Sequence, residues 1–310
     1  MSAAPIKHGV VKAGVMGWPV AHSRSPMIHG YWLRKHGIAG EYGLLPVKPE
    51  DAVAAIRALP QQGYAGCNCT VPHKHAALEA ADEVDALARR IGAANTVVVR
   101  GGAIHATNTD AEGFLRNLVE GANRVLSERF IAGAQGAGHA GFLIAAPALR
   151  LDAGPAVVLG AGGAARAVLV ALLDAGAQSI RLMNRTKVRA EELAAELGQG
   201  KVEVVAWDER EQSLADAALL INATSMGMQG QEPLALRLDD LPSDAVVNDI
   251  VYVPLETDLL AAARARGNVA VDGLGMLLYQ AVPGFEAWFG VRPEVTPELR
   301  DLIVKDLGAR

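Results

Sequence analysis

The sequence predicts an α/β protein with two α/β domains. Short runs rich in Val, Ile or Tyr alternate with Ala- and Leu-rich stretches of helical length, a pattern typical of parallel sheets flanked by helices. The chain has 310 residues, 51% of them hydrophobic, and so exceeds the usual size of a single hydrophobic core. We therefore expect two cores, each built around its own sheet.

The first part of the chain contains predicted strands separated by predicted helices. The strands are expected at residues 10–16, 42–47, 64–69 and 95–100. The helices are expected at residues 26–36, 50–59, 74–80 and 110–119.

Residues 119–152 are predicted to form a long Ala- and Gly-rich connection, because the stretch 131–148 shows no clear period. A simple tolerated insertion explains this stretch without assigning it a function. After it the alternation restarts, and each strand is followed by a helix or turn signal. These later strands are expected at residues 156–159, 180–183, 202–206, 219–222 and 245–250.

The composition argues against several classes of protein. The chain has 29 basic and 34 acidic residues, a net charge of -5 and no block of like charges, so nucleic acid is not an expected partner. The most apolar long window, 155–177, is interrupted by four glycines and two charges, so we expect no membrane-spanning helix. Residues 1–8 lack the apolar core of a signal peptide, so we expect none there. The only cysteines, Cys67 and Cys69, are interpreted as buried thiols of a cytoplasmic protein, with no metal site.

A glycine-rich turn after the strand at 156–159 predicts a dinucleotide site. Gly160, Gly162 and Ala165 match the Gly-x-Gly-x-x-Gly/Ala fingerprint between a strand and a helix. Gly160 permits the tight turn, Gly162 lets the backbone approach a pyrophosphate, and the helix N-terminus supplies donors. Packing alone also produces such turns, but the strand-turn-helix context favours a nucleotide. The predicted cofactor-binding loop is Gly160, Ala161, Gly162, Gly163 and Ala164.

The residues after the next strand indicate NADP rather than NAD. In such a unit this strand ends with an acid for the NAD ribose or with a base for the NADP phosphate. Here it ends with Asn184, Arg185 and Thr186, and Arg185 is placed to pair with a 2′-phosphate, with Arg189 one helical turn further on. The alternative is that both arginines are solvated surface charges.

Three polar clusters, at residues 17–26, 66–74 and 95–110, follow predicted strands in the first part. Loops at the carboxyl ends of strands converge on one crevice in an α/β sheet, so these clusters predict a site. In the first cluster, Ser23 and Ser25 precede a helix start and together suit a carboxylate. Helix N-capping is the alternative, which explains Ser25 but not Ser23.

The second and third clusters supply groups that can move or orient a proton. A Pro-bent turn puts Lys74 at a helix start, where a cation is electrostatically unfavourable, and such a lysine suits a proton donor and acceptor. The third cluster adds the amide of Asn95 and the carboxylate of Asp110. Asp110 fits a helix N-cap equally well.

Taken in order, these segments resemble the motifs of the shikimate dehydrogenase family, and the match covers almost the whole chain. The chain departs from the family at Gly30, Cys69 and Thr107, where Asn, Val and Gly are usual, and its stretch 114–160 is longer. The segments that carry the resemblance are 22–26, 68–74, 95–96, 108–110, 160–167, 184–186, 222–227 and 272–277, followed by Gln280.

The resemblance implies a role for individual residues. Ser23 and Ser25 would hold the substrate carboxylate with help from Tyr252, and Thr224 would lie near the cofactor. The residues around the substrate ring would be Thr70, Lys74, Asn95, Asp110 and Gln280. The residues near the nicotinamide would be Ile250, Gly273 and Met276.

The resemblance also implies the domain organisation. Residues 1–118 would form a substrate-binding catalytic domain, completed by helices from about 275 to 310. Residues 153–274 would form a Rossmann-type NADP-binding domain.

The implied reaction is reversible hydride transfer between NADPH and the ketone of 3-dehydroshikimate, which gives shikimate on the route to chorismate and the aromatic amino acids. Lys74 would protonate the developing alkoxide, and Asp110 would orient Lys74 and the reacting hydroxyl. The implied partners are small molecules, without nucleic acid or membrane, and the chain would be a monomer or a homodimer.

Two alternatives accompany this interpretation. A quinate or quinate/shikimate dehydrogenase would share the fold, the lysine and the aspartate. Ser25, where quinate-using relatives often carry threonine, and Arg185 favour shikimate and NADP. A non-catalytic NADPH-binding regulatory module would share the fold alone, and the intact catalytic set argues against it.

Overall fold

The computed structural model describes residues 9–137 and 151–308 and confirms the α/β class. Contacts divide the chain into two compact units. Unit 1 comprises Met1–Thr109 and Gln280–Asp306, and unit 2 comprises Asp110–Tyr279 and Leu307–Arg310. Residues 1–8, where no signal peptide is expected, lie outside the described residues. So does most of the aperiodic stretch 131–148.

The sheet of unit 1 is mixed, so the prediction of a parallel sheet is wrong for part of it. Its strands are β1 (Val11–Gly17), β2 (Gly40–Pro46), β3 (Tyr64–Cys69), β4 (Glu83–Val84), β5 (Thr96–Arg100) and β6 (Ala103–Thr107). Their order is β2-β1-β3-β5-β6-β4. β1 is parallel to β2 and β3, whereas β5 is antiparallel to both β3 and β6.

The hairpin between β5 and β6 explains the antiparallel strands. Its two loop residues, Gly101 and Gly102, have φ angles of 58° and 87°, and a Gly-Gly loop with positive φ suits the tight turn that joins two neighbouring strands. Asn68, near the end of β3, is therefore opposite Thr96 at the start of β5, and Thr96 is opposite Thr107 at the end of β6. The three polar clusters consequently meet at one edge of this sheet.

Short helices cover the sheet of unit 1. Met16, Ile56, Cys67 and Val97 are among the buried residues of a core to which three of these helices contribute. The helices are α1 (Ser25–Lys35), α2 (Ala52–Arg57), α3 (Lys74–Ala80) and α4 (Ala86–Ile91), and a 3₁₀ turn covers Pro49–Asp51.

The sheet of unit 2 is parallel throughout and has the Rossmann strand order. The order is β12-β11-β10-β7-β8-β9. From β7 the chain adds β8 and β9 on one side and then crosses back to add β10, β11 and β12 on the other, so the switch point lies between the parallel neighbours β7 and β10. Ligands of such sheets bind beyond the carboxyl ends of the strands at this point of reversal. The strands are β7 (Ala156–Leu159), β8 (Ile180–Met183), β9 (Val202–Val204), β10 (Leu219–Asn222), β11 (Val246–Asp249) and β12 (Val269–Val271).

Among the described residues, four helices lie wholly within unit 2, and the first of them is much longer than predicted. They are α5 (Asp110–Ala137), α6 (Gly163–Asp174), α7 (Lys187–Leu197) and α8 (Asp258–Ala265), with 3₁₀ turns at Trp207–Glu209 and Gln212–Leu214. The predicted helix end near residue 119 is wrong, because α5 continues into the predicted 119–152 connection. Residues 138–150 of that connection lie outside the described residues.

Gly121 lies inside this long helix, which packs against α6 and β12. A Cβ atom at Gly121 would lie 2.6 Å from Cγ1 of Val271. The glycine therefore permits close approach of helix and strand instead of ending the helix.

The C-terminal helices α9 (Leu274–Phe289) and α10 (Pro297–Gly308) follow β12. Their residues from Gln280 to Asp306 belong to unit 1. The Trp288 indole donates to the Val97 carbonyl at 3.0 Å, and Arg24 pairs with Asp306 at 3.1 Å. Among the helices within residues 9–137 and 151–308, none is sufficiently long and apolar to cross a bilayer.

Candidate active site

Asn95 is the centre of a hydrogen-bond network at the polar edge of unit 1. Its side-chain amide donates to the Thr109 hydroxyl at 2.9 Å and to the Gln280 side chain at 3.2 Å. Its side-chain oxygen accepts from the Thr109 backbone amide at 2.8 Å. The Thr109 hydroxyl also donates to the Gln280 carbonyl at 2.8 Å, so the network joins β5, the end of β6 and α9. Two of the predicted substrate residues, Asn95 and Gln280, are thereby brought together.

Asn68 supports this network from the end of β3. It is buried, and its amide donates to the Asn95 carbonyl at 3.2 Å and to the Thr96 hydroxyl at 3.1 Å. Its oxygen accepts from the Tyr42 hydroxyl at 2.6 Å. Every polar atom of the Asn68 side chain has a partner, as a buried amide requires.

Ser23 and Ser25 lie where the first predicted cluster meets α1. Ser25 is the first residue of the helix, and its backbone amide donates to the Ser23 hydroxyl oxygen at 3.3 Å. Arg24 occupies the N-cap position without a side-chain capping bond, so Ser25 is not the N-cap. Burial raises the pKa of Tyr42, which lies near Ser25, well above its ordinary value.

Lys74 is the first residue of α3, as the sequence predicted, and its side chain is half-buried. The Lys74 carbonyl accepts from the Ala94 amide at 3.0 Å. Because Ala94 directly precedes Asn95, this bond holds the start of α3 close to Asn95. Thr70, in the turn before α3, packs so tightly that a Cβ atom at Gly17 would lie 2.5 Å from its methyl group. The backbone thus keeps the turn of Thr70 and Lys74 against the end of β1.

Asp110 and Tyr252, the other two residues predicted to contact the substrate, belong to unit 2. Asp110 is the first residue of α5 and is 6% exposed, and Tyr252 is half-buried in the loop after β11. Their part in substrate binding stays a prediction.

His29 lies in an aromatic cluster beneath the Ser23–Ser25 motif. Its ring is fully buried, stacks on Tyr42 with centroids 3.8 Å apart and meets the edge of Trp32. Neither ring nitrogen has a hydrogen-bond partner among the described residues. Burial without a partner lowers the pKa of His29 from 6.5 to about 3.

We expect His29 to make the free energy of unfolding decrease as the pH falls. Below pH 6.5 the unfolded chain binds a proton at this position, whereas the folded protein does so only near pH 3. The stability contributed by neutral His29 is therefore lost progressively below pH 6.5, by about 2 kcal/mol at pH 5. Urea unfolding of the protein and of His29→Phe between pH 8 and 5 measures this loss. The variant keeps a ring but cannot titrate, so equal pH dependence in the two proteins would contradict the assignment.

In unit 2, the loop after β7 has the shape that the glycine fingerprint predicts. Gly160 has φ of 105°, and a Cβ atom there would lie 2.9 Å from the Ala223 carbonyl oxygen. A Cβ atom at Gly162 or Gly163 would meet nothing within 4 Å, which leaves open space at the start of α6. Ala165 is fully buried, in agreement with its predicted packing role.

Asn184 and Arg185 extend from the end of β8. The Asn184 side-chain oxygen accepts from the Ala161 amide at 3.1 Å, and its amide donates to the Thr186 carbonyl at 2.9 Å. Asn184 thus ties the glycine loop to the segment that carries Arg185. The Arg185 side chain is 61% exposed and pairs with Glu232 at 2.7 Å. Arg189 is exposed in the first turn of α7.

Asn222 and Asp249 organise two further loops of unit 2. The buried Asn222 accepts from the Thr224 hydroxyl at 2.7 Å and donates to Asp249 at 3.0 Å. Asp249 also accepts from the Val251 amide at 3.0 Å and from the Thr257 hydroxyl at 2.8 Å. The predicted cofactor residue Thr224 is therefore positioned through the loop that follows β11.

Burial raises the pKa of Asp249 to about 6, and its hydrogen bonds reduce this shift. The stability that a raised carboxyl pKa contributes is present at low pH and is lost as the pH rises through 6. This titration opposes that of His29. It occurs equally in the protein and in His29→Phe, so it cancels in their comparison.

Ile250 and Gly273, both predicted near the nicotinamide, are in direct contact. A Cβ atom at Gly273 would lie 2.2 Å from the Ile250 carbonyl oxygen, so only glycine allows this approach. Met276 follows on the first turns of α9 and is half-buried.

Several residues that organise the site were missed from the sequence. They are Tyr42, Asp249, Thr257 and Glu232. A polar residue at the end of an apolar strand is a signal that was available for Asp249. Thr257 lies only eight residues after Asp249 and is the N-cap of α8, which is a local pattern. Tyr42 and Glu232 act on residues far from them in the chain, and no local pattern marks them. Within residues 9–137 and 151–308, no three or more His, Cys, Asp or Glu side chains are placed to hold a metal ion.

Family models match three parts of the chain. The shikimate dehydrogenase substrate binding domain matches residues 15–97. The shikimate / quinate 5-dehydrogenase model matches residues 144–252, and the shikimate 5′-dehydrogenase C-terminal domain matches residues 273–297.

Whole-chain relatives point to the same family. A shikimate dehydrogenase (NADP(+)) of Paramagnetospirillum magneticum is 55% identical, over 94% of this chain and 97% of that relative. A second shikimate dehydrogenase (NADP(+)), of Methylobacterium radiotolerans, is 52% identical, over 96% of this chain and 97% of that relative.

Solved structures agree with these relatives. Quinate dehydrogenase from Corynebacterium glutamicum in complex with NAD is similar with a TM-score of 0.82 and 31% identity, covering 96% of this chain and 100% of that one. Shikimate 5-dehydrogenase from Thermus thermophilus in complex with NADP(H) and shikimate has a TM-score of 0.77 and 33% identity, with the same coverage. The chain belongs to the shikimate dehydrogenase family.

Proposed function

We propose that this protein catalyses the reversible NADPH-dependent reduction of 3-dehydroshikimate to shikimate. The observation that carries the proposal is the polar edge of unit 1, where Lys74 begins α3 beside the network of Asn95, Thr109 and Gln280. Membership of the family and the NADP-dependent names of its relatives support the same reaction. The protein would work in the cytoplasm, as a monomer or homodimer, with small molecules as its partners.

The residues of unit 2 fit a bound dinucleotide. The open space at Gly162 gives room for a pyrophosphate at the start of α6, where a helix leaves backbone amides without partners inside the helix. Arg185 and Arg189 offer positive charge for a 2′-phosphate. Ile250, Gly273 and Met276 would lie near the nicotinamide, and the cofactor supplies the hydride when bound.

The residues of unit 1 fit the acid and the positioning groups of this reaction. In the proposed mechanism, the Ser23 and Ser25 hydroxyls donate to the substrate carboxylate. The Lys74 side chain would donate a proton to the ketone oxygen during reduction, and the reverse reaction would return the proton to Lys74. Asp110 would orient Lys74.

Thr70, Asn95, Gln280 and Tyr252 complete the proposed set of substrate contacts. Thr70 precedes Lys74 in the same turn, and Asn95 and Gln280 already bond to each other. Hydroxyl and amide groups of this kind discriminate a polyhydroxylated ring through paired hydrogen bonds.

Quinate is the second candidate substrate, because the similar Corynebacterium structure is a quinate dehydrogenase with NAD. Steady-state rates with shikimate and with quinate, each with NADP and with NAD, test the proposal. We expect the highest kcat/KM with shikimate and NADP, because of Ser25 and Arg185. A preference for quinate or for NAD would favour the second candidate instead, and no turnover with any pair would favour a regulatory module.

A further inference from the structure

The ion pair between Arg185 and Glu232 has a consequence for cofactor choice. The Glu232 carboxylate accepts a hydrogen bond from the Arg185 guanidinium at 2.7 Å. The Arg185 side chain is 61% exposed and the Glu232 side chain is 71% exposed. The guanidinium that is proposed to meet the 2′-phosphate therefore already has a carboxylate partner.

The backbone holds Glu232 at this place. Its loop follows β10, and the Gly227 amide donates to the Glu232 carbonyl at 2.8 Å. The Gln229 amide donates to the Val253 carbonyl, also at 2.8 Å, which ties the loop to the segment after β11. Gly227 has φ of 85°, the left-handed conformation that favours glycine and lets the chain turn back toward Arg185.

A phosphate at Arg185 would meet Glu232 as a competitor. A 2′-phosphate carries negative charge at neutral pH, so it is repelled by the carboxylate and must share or displace the guanidinium. The 2′-hydroxyl of NADH carries no charge, and a carboxylate can accept a hydrogen bond from it. Glu232 therefore weakens the binding of NADPH but not that of NADH.

We propose that Glu232 is a specificity-determining residue that reduces the preference of this protein for NADPH over NADH by competing for Arg185. The inference rests on the proposed role of Arg185 in cofactor binding. Its site is an exposed ion pair, and such pairs have modest strength that salt screens.

The test is direct titration of NADPH and NADH against the protein and its Glu232→Gln variant at low ionic strength. Gln keeps the size of the side chain and removes its charge. We expect the Kd for NADPH to fall by about two- to fivefold, as an exposed ion pair allows, while the Kd for NADH stays the same or rises. The gain should shrink as salt is added.

Glu191→Gln is the matched control. Glu191 lies on α7, is also exposed and pairs with Lys187 at 3.5 Å, so its replacement makes the same change in net charge on a different ion pair. We expect no selective gain for NADPH. An equal gain in this control, or a Glu232→Gln variant that binds NADPH no better, binds it more weakly or binds both cofactors more tightly alike, would overturn the inference.

Arg185→Gln separates this inference from the proposed function. If Arg185→Gln selectively weakens NADPH while Glu232→Gln does not tighten it, the cofactor role of Arg185 stands and only the inference about Glu232 fails. If Arg185→Gln leaves the Kd for NADPH unchanged, Arg185 has no cofactor role and the inference fails with it.

Discussion

Lys74→Ala is expected to lower kcat by about 10²–10⁴-fold, because the variant has no group to protonate the alkoxide at this position. KM for shikimate should change much less, since the proposed carboxylate and ring contacts of Ser23, Ser25, Asn95 and Gln280 remain. The carbonyl of residue 74 still accepts from the Ala94 amide, so the turn is preserved. Steady-state kinetics and circular dichroism of the variant measure the two effects.

His75→Ala is the matched control for this experiment. His75 is exposed and is the next residue of α3, so its replacement changes the same helix without touching the proposed acid. We expect near-normal kcat. If Lys74→Ala retained the kcat of this control, Lys74 would not be the acid.

The second large effect concerns folding of unit 1, and we expect Gly66→Ala to destabilise the protein by about 3 kcal/mol. Gly66 lies in β3 with φ of 149°, and a Cβ atom there would lie 2.0 Å from the Val97 carbonyl oxygen. It would also lie 2.4 Å from the Trp288 indole nitrogen, which donates to that same carbonyl. The added methyl group must therefore separate β3 from β5 or break the contact of α9 with the sheet.

Gly43→Ala tests whether the loss is specific to Gly66. Gly43 lies in β2 of the same sheet, and a Cβ atom there would meet nothing within 4 Å. We expect a change within about 1 kcal/mol. Urea unfolding of both variants provides the comparison, and similar stabilities would show that the close approach at Gly66 does not constrain the sheet.

Local patterns explain which parts of the fold were predictable. The run 156–174 contains a buried strand, a Gly-rich turn and a helix in sequence, and the structure has all three at the expected residues. The Ser-rich motif and Lys74 likewise stand at helix starts. Each of these features depends on neighbours in the chain.

Features that depend on distant contacts were not predictable in the same way. The sequence does not show why a glycine lies inside α5, because the close approach of Gly121 to Val271 exists only in the folded chain. The direction of β5 is different, since the Gly-Gly pair at 101–102 is a local signal for a hairpin between β5 and β6. Glu232 gave no signal, since its pairing with Arg185 requires two loops to fold toward each other.

The most direct test of the proposed activity follows NADPH and product in one sample. The protein is mixed with NADPH and 3-dehydroshikimate, the loss of NADPH absorbance is recorded, and shikimate is quantified by mass spectrometry. We predict one shikimate formed for each NADPH oxidised, and no oxidation without 3-dehydroshikimate. Binding of NADPH without oxidation in the presence of 3-dehydroshikimate would contradict the proposed function.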